Sequence, residues 1–139
     1  AITTSVVHGD RAVVGGGLVA ALDHEGTTHW TYKKGGIPTG AATSEAIAGV
    51  AEHELFVLER GTGEERWRVR TDTEFASPGA FVGGRLAYTT RDGALVVVDA
   101  ATGERAWSWA TRTGLRDPVP AGDVFVVGRN GGGLWGLEP

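Results

Sequence analysis

The side chains that could do chemistry in this 139-residue chain are four histidines and scattered carboxylates. The histidines are His8, His24, His29 and His53, and His24 and His29 flank a predicted turn. A metal site needs further ligands and ordered groups behind them, and the sequence offers no such set. There is no cysteine, which excludes a disulfide framework, a thiolate metal site and a cysteine nucleophile. We therefore predict no metal site and no catalytic residue.

Two glycine runs could suggest phosphate-binding loops. They are Gly15-Gly16-Gly17 and Gly131-Gly132-Gly133. A phosphate loop has to open a helix, whose N-terminal N–H groups hold the anion. Both runs are followed by strand-like residues instead, so we predict that both are hairpin turns.

The elements that would position these residues recur with a period near 40 residues. Acids lie at Asp23, Glu59, Asp99 and Glu138, separated by 36, 40 and 39 residues. Prolines lie at Pro38, Pro78 and Pro118, each 40 residues apart, and tryptophans at Trp30, Trp67 and Trp107, 37 and 40 residues apart. This period is typical of four-stranded propeller blades.

The turn residues within one period predict four short strands. In the third repeat they cover 78–82, 85–90, 95–99 and 106–110, separated by Gly83-Gly84, Asp92-Gly93 and Thr102-Gly103. The repeats span 1–34, 35–74, 75–114 and 115–139, the last one incomplete. We predict an all-β fold, a β-propeller of four-stranded antiparallel blades with about three and a half blades in this chain.

An open array of blades leaves apolar faces uncovered at its two ends. The chain could therefore be half of a seven- or eight-bladed ring, completed by further polypeptide or by a second copy. It could also be a closed four-bladed ring, with residues 2–5 supplying the outer strand that the last blade lacks.

The repeated motif has a structural logic. Asp99 can accept hydrogen bonds from the backbone of the following turn, and Gly103 after Thr102 can take a positive φ. Trp107 then lies flat between adjacent blades, and its indole N–H finds a carbonyl. The same motif places Asp23 and Trp30 in the first repeat and Glu59, Thr62, Gly63 and Trp67 in the second.

Four further residues are candidates for contacts with a partner. Arg66, Arg68 and Arg70 alternate on one predicted outer strand and so share a face, and Trp109 lies near the blade rim. We expect a protein partner. The net charge of −4 argues against nucleic acid, and no run of 18 apolar residues predicts a membrane span.

The motif, read A-x-D-x-x-T-G-x-x-x-W, resembles the tryptophan-docking motif of the PQQ-like (quinoprotein-type) β-propeller repeats. The closest copy is 97–107; the copy at 57–67 has Glu for Asp, and the copy at 21–30 is one residue shorter. The resemblance implies a ring of seven or eight blades. The motif does not specify a function, because many propellers that carry it are not catalytic. We expect a non-enzymatic scaffold or binding module without a cofactor.

The resemblance leaves two alternatives open. One is a fragment of a PQQ-dependent quinoprotein dehydrogenase, with PQQ and calcium on the propeller axis. The vicinal disulfide of many such enzymes cannot form here, and no Glu, Asn and Asp cluster suggests a calcium cage. The other is an engineered or self-associating half-propeller. The scaffold reading is similar to outer-membrane assembly lipoprotein-type propellers or kinase-linked sensor propellers, and this analogy alone favours the cell envelope or the outside of the cell.

Overall fold

The computed structural model describes residues 2–71, 73–74 and 79–139, and the regular elements among them are all β-strands. The strands are β1 (Ile2–His8), β2 (Arg11–Gly16), β3 (Val19–Asp23), β4 (Thr28–Tyr32), β5 (Ile37–Ala42), β6 (Ala46–Ala51), β7 (Glu54–Glu59), β8 (Glu65–Arg70), β9 (Ala80–Val82), β10 (Arg85–Thr89), β11 (Ala94–Asp99), β12 (Arg105–Ala110), β13 (Val119–Ala121), β14 (Val124–Gly128) and β15 (Leu134–Leu137).

The strands form four separate antiparallel meanders in chain order. The first three sheets are β1–β4, β5–β8 and β9–β12, and the fourth has the three strands β13–β15. Each sheet pairs only consecutive strands, so every connection within a sheet is a hairpin. This confirms the predicted all-β propeller architecture of four-stranded blades.

The third strands of the second and third sheets are apolar on both sides because both of their faces are covered. In β7, Leu55 and Val57 point into one core, while Phe56 and Leu58 point into the opposite one. Side chains alternate across a strand, so a continuous apolar run supplies two neighbouring interfaces at once. This explains why these strands lack the polar alternation of a half-exposed sheet.

Three apolar cores join the four sheets, one between each consecutive pair. The first two sheets share a core around Trp30, Tyr32 and Phe56, and the second and third sheets share one around Trp67, Leu86 and Tyr88. The third and fourth sheets share a core that contains Phe125, Leu95, Val97, Leu115 and Val127. The innermost strands β1, β5, β9 and β13 also touch in this order, whereas no comparable contact joins the last sheet to the first among the described elements.

The first glycine run is not the hairpin turn that its sequence predicts. Gly15 and Gly16 belong to β2, and the turn to β3 lies at Gly17-Leu18. A Cβ on Gly15 would lie 2.1 Å from Cδ of Pro38 in the next sheet, so glycine is needed for close approach between sheets. This contact is distant in sequence and leaves no local signal.

The structure also corrects the proposed role of residues 2–5. They lie in β1, which pairs with β2 as the innermost strand of the first sheet. They therefore do not supply an outer strand to the last sheet. Pro78, the predicted start of β9, lies outside the described residues, and the described strand begins at Ala80.

The cores between sheets predict unequal effects of two leucine substitutions. Leu86 is 0% exposed between the second and third sheets, whereas Leu134 is 76% exposed. Leu86→Ala should lower the free energy of unfolding by about 2–5 kcal/mol, because it leaves a cavity. Leu134→Ala should change it by less than about 0.5 kcal/mol. Urea unfolding measures both, and similar losses would contradict the sheet arrangement.

Candidate functional site

Each of the first two tryptophans docks on the turn of the following sheet. The indole N–H of Trp67 donates to the carbonyl of Ala100 at 2.8 Å. Its ring lies against Gly103, where an added Cβ would be 2.7 Å from Cδ2 and Cε3. Trp67 is 8% exposed. Its large apolar ring is therefore buried between two sheets, and its one polar atom has a hydrogen-bond partner there.

The preceding interface repeats this geometry. The indole N–H of Trp30 donates to the carbonyl of Arg60 at 2.8 Å. A Cβ on Gly63 would lie 2.3 Å from Cε3 of Trp30. In both turns the accepting carbonyl belongs to the residue after the motif acid, and the glycine has a φ of +73° or +78°.

The motif aspartates hold their turns through the backbone. The Asp99 Oδ1 accepts hydrogen bonds from the N–H groups of Ala101 and Thr102 at 2.9 and 3.0 Å. These bonds lower the pKa of Asp99. In the first sheet the N–H of Thr27 and the ring of His29 act on Asp23 in the same direction and lower its pKa.

Glu59 behaves differently from the two aspartates. Its carboxylate accepts hydrogen bonds from the guanidinium of Arg66 on the next strand of the same sheet. This interaction lowers the pKa of Glu59. The backbone of this turn is still closed by the N–H of Gly63, which donates to the carbonyl of Glu59 at 2.8 Å. The longer side chain thus reaches a neighbour instead of its own turn.

Two of the three arginines of the predicted face, Arg66 and Arg68, lie in ion pairs within the protein. Arg68 pairs with Glu54 on the neighbouring strand, and its Nη1 donates to the hydroxyl of Tyr32 at 2.7 Å. Arg66 is occupied by Glu59, and only Arg70 of the three lies exposed. The role of this face in binding a partner stays a prediction.

Tyr32 lies at the centre of a group of polar contacts between the first two sheets, which we call the polar latch. No sequence motif predicted it. Its hydroxyl donates to the carboxylate of Glu65, which also accepts from Lys34 at 3.2 Å. Burial and the bond to Glu65 raise the pKa of Tyr32 to about 12. Its ring stacks on Phe56 with centroids 5.3 Å apart.

Trp109 packs against the last sheet. Its ring meets that of Trp135 edge to face, with centroids 4.9 Å apart and planes at 88°. Both rings are partly buried against the core that the third and fourth sheets share. Such a pair contributes about 0.5–1.5 kcal/mol beyond its buried area, so Trp109 has a packing role whatever else it does.

A cavity that no motif predicted lies at the end of the sheets opposite the Thr-Gly turns. We call this end the loop end, because the turns between second and third strands and the connections between sheets lie there. The cavity has a volume of about 660 Å³ and draws on the first three sheets. It is lined by Gly16, Gly36, Ile37, Val50, Ala51, Glu52, His53, Glu74 and Arg91.

The cavity combines an apolar floor with a charged rim. Ile37 on the floor is 44% exposed. Arg91 and Glu74 form an ion pair at 2.9 Å, and the N–H of Arg91 donates to the carbonyl of Glu74. The Nδ1 of His53 is buried without a hydrogen-bond partner among the described residues, an arrangement that costs free energy unless another group supplies the bond.

The backbone beside His53 is also unusual. Glu52 has a φ of +51° and is the one non-glycine residue in the described chain with a positive φ. This turn lacks glycine, so a side chain is held in a conformation that costs of order 1–2 kcal/mol. Strain of this kind is concentrated at functional sites.

The histidines do not come together as ligands. His29 bonds to Asp23 at 3.0 Å, and His24 approaches Glu25 at 4.0 Å. Within the part of the chain that the structure describes, no three His, Asp or Glu side chains are grouped so that they could hold a metal ion. No helix among the described residues could cross a bilayer.

The sequence itself matches a known family. The profile described as "Outer membrane protein assembly factor BamB" matches residues 6–139, nearly the whole chain. This chain belongs to the BamB family. No curated protein sequence matches it significantly.

Solved structures share the fold of this BamB-family chain. BamB from Moraxella catarrhalis superimposes with a TM-score of 0.81 at 20% identity, over 97% of this chain and 44% of that one. The computationally designed Ika4 protein gives 0.80 at 17% identity, over 99% and 91%. Apo AztD from Citrobacter koseri gives 0.71 at 13% identity, over 92% and 41%. The chain thus spans less than half the length of the M. catarrhalis protein.

The docking geometry of this BamB-family chain predicts different costs for one substitution in two turns. Gly103→Ala places a methyl group against Trp67 and also strains a positive φ, so the free energy of unfolding should fall by about 3 kcal/mol or more. Gly26 has a φ of +83° but nothing within 4 Å of an added Cβ. Gly26→Ala is therefore the matched control and should cost about 1–2 kcal/mol. Equal losses in chemical unfolding would show that Trp67 does not rest on Gly103.

The raised pKa of Tyr32 predicts a loss of stability at alkaline pH. The unfolded chain releases the phenol proton near pH 10, whereas the folded protein keeps it until about pH 12. Folding stability should therefore fall across pH 10 to 12, by roughly 1 kcal/mol for each unit. Tyr32→Phe should lose less stability than the parent protein between pH 9 and 11. If the two lose the same amount, the phenol is not held by this latch.

Proposed function

We propose that this chain is a non-enzymatic scaffold that binds a protein partner at the cavity of the loop end. The observation that carries the proposal is the composition of this cavity, in which three sheets converge on an exposed isoleucine surrounded by His53, Glu74 and Arg91. Binding sites are typically concave and apolar, with a few convergent polar groups. Loops on a rigid scaffold are also where proteins place their contacts.

The chemistry of the cavity favours a peptide segment of the partner as its ligand. Ile37 and Val50 offer an apolar floor for one side chain. The exposed Arg91 and Glu74 lie beside it and can exchange their mutual pair for charges on the partner. The Nδ1 of His53, which has no partner among the described residues, can form a hydrogen bond with a backbone or side-chain group of the ligand.

The family description supports the same proposal. The matching profile bears the description of an assembly factor for outer membrane proteins. By that analogy we propose that this chain works in the cell envelope and holds other proteins rather than transforming a substrate. Fold likeness alone does not carry function, so the proposal depends on the cavity for its site.

We also propose that the chain works without a cofactor. The sequence has no cysteine for the disulfide that stacks on a quinone. Three described carboxylates are paired with a lysine or an arginine, and Asp99 is bonded to its own turn. Addition of pyrroloquinoline quinone with calcium should leave the midpoint of thermal unfolding unchanged. A concentration-dependent rise of several degrees would instead favour the dehydrogenase alternative.

Site-specific photocrosslinking in the organism that encodes the protein tests the binding face. A benzophenone side chain at position 37 should yield protein adducts, whereas one at Glu104, exposed in a turn at the opposite end, should not. In the purified pair, Ile37→Asp should weaken binding of the crosslinked partner by about tenfold or more, because it places a charge on the apolar floor. Adducts of equal yield at both positions, or a partner unaffected by Ile37→Asp, would refute the proposed face.

A further inference from the structure

A further cavity lies between the second and third sheets, at the end of the sheets that bears the Thr-Gly turns. It has a volume of about 290 Å³, and we call it the Ala100 cavity. The second sheet lines it with the turn between β5 and β6, and the third sheet with Gly83, Gly84 and Ala100. Each of these two sheets packs against a neighbour on either side. The cavity therefore lies within the array of sheets, at the end opposite the loop-end cavity.

Ala100 has a structural counterpart in the second sheet, which is Arg60. Each follows the motif acid, and the carbonyl of each accepts the indole N–H of a tryptophan in the preceding sheet. The N–H of Ala100 donates to the carbonyl of Gly84 at 2.9 Å, and the N–H of Arg60 donates to the carbonyl of Glu45 at 2.8 Å. The two residues therefore hold the same position, and both lie against the sheet before their own.

In the other two interfaces a side chain at this position reaches the preceding sheet. An added Cβ on Gly9, in the turn between β1 and β2, would lie 3.2 Å from Nη2 of Arg60. The Nη1 of this guanidinium donates to the carbonyl of Thr43 at 3.2 Å. Pro139, which follows Glu138, has the same position in the last sheet, and its Cγ would lie 3.7 Å from a Cβ on Gly83.

The interface between the second and third sheets lacks such a side chain, because Ala100 ends at its Cβ. The Ala100 cavity occupies the space between this methyl group and the turn that contains Ser44 and Glu45. Glu45 directly precedes β6, as Asp10 directly precedes β2 in the turn that Arg60 contacts. This interface thus retains an acid in the turn of the preceding sheet, but the third sheet supplies no cation to meet it.

The charges around the Ala100 cavity favour a cation as its ligand. The side chain of Glu45 is 80% exposed and lies 3.9 Å from the guanidinium of Arg66, which is bonded more closely to Glu59. Arg66, the cation in the lining, is therefore neutralised within its own sheet. Exposed acids also lie in the other turns at this end of the sheets; they are Asp10, Glu25, Glu64, Glu104 and Asp123. Their combined field attracts cations.

We propose that the Ala100 cavity is a binding site for a small guanidinium compound. The guanidinium takes the place that Arg60 has in the first interface, beside Ser44 and with Glu45 as its counter-ion. Its aliphatic stem packs against Phe81 and Val82, which also line the cavity, as arginine stems do on apolar surfaces. The planar fork of a guanidinium matches a carboxylate, whereas an ammonium is a strongly hydrated point charge. The cavity has room for one such group and its stem, so the ligand is a free compound.

Titration of the ¹⁵N-labelled protein with n-propylguanidine, which is the side chain of arginine without its backbone, tests the site. The matched control is n-propylurea, which has nearly the same shape without the charge. The guanidine should shift the amide resonances of residues 44–45 and 83–84. It should also shift the indole of Trp67, which donates to the carbonyl of Ala100, and leave the indole of Trp30 unchanged. The urea should bind about tenfold more weakly or worse.

Three variants of the protein make the assignment specific. Ala100→Arg supplies from the third sheet the side chain that Arg60 supplies from the second, so it should abolish the shifts. Glu45→Gln changes an exposed side chain and should weaken binding by about threefold at low salt. Arg60→Ala opens the same space between the first two sheets. The guanidine should then also shift the indole of Trp30, which donates to the carbonyl of residue 60.

Several results would overturn the proposal. Equal affinity for the guanidine and the urea would mean that charge plays no part in binding. Shifts that persist unchanged in Ala100→Arg would place the ligand outside the cavity. An unshifted Trp30 indole in a folded Arg60→Ala protein would break the correspondence between the two interfaces. A capped Gly-Arg-Gly peptide that binds about tenfold more tightly than n-propylguanidine would assign the site to a polypeptide instead of a small compound.

Discussion

The hydrogen bond from a tryptophan indole to a carbonyl in the next sheet is the contact that fixes the arrangement of the first three sheets. Among the described residues, no continuous ladder of backbone hydrogen bonds joins consecutive sheets, although Gly16 and Gly36 bridge the first two. Apolar packing is non-directional, so a specific polar contact is needed to set the register between sheets. The indole fixes their register, because Trp67 has to place both its ring on Gly103 and its N–H on Ala100. The Thr-Gly turn keeps its shape because the Asp99 carboxylate accepts hydrogen bonds from the backbone N–H groups of that turn. Sheet order, core composition and turn sequence are thus coupled at one place.

Because the tryptophans dock on the Thr-Gly turns, the two ends of the molecule have different roles. At the docking end, short turns with Thr-Gly are committed to contacts between sheets and have little freedom to vary. At the loop end, the turns carry Glu52, His53 and Arg91, and the apolar floor of a cavity is exposed between them. A fold fixed at one end leaves the other end free to acquire a binding surface. The proposed partner site lies there for this reason.

The repeat could be predicted from the sequence because tryptophan, acid and Thr-Gly each have a local and demanding role. The number and composition of the strands follow from the glycine-containing turns that separate them. What the sequence concealed depends on contacts between repeats. Gly15 is glycine because Pro38 approaches it, and Tyr32 meets Arg68 across two sheets. The cavity escaped prediction because its lining, mostly from the second repeat, is completed by Gly16 and Arg91 from the two neighbouring repeats, and these residues form no motif.

Native-state hydrogen exchange of the tryptophan indoles tests the interlock most directly. The indole protons of Trp30 and Trp67 are buried and bonded, so they should exchange only when neighbouring sheets separate, with an opening free energy of several kcal/mol. The indole of Trp107 should exchange close to the unprotected rate. Rapid exchange of all three indoles in the folded protein would show that the sheets are held by apolar packing without the interlock, and would contradict this account.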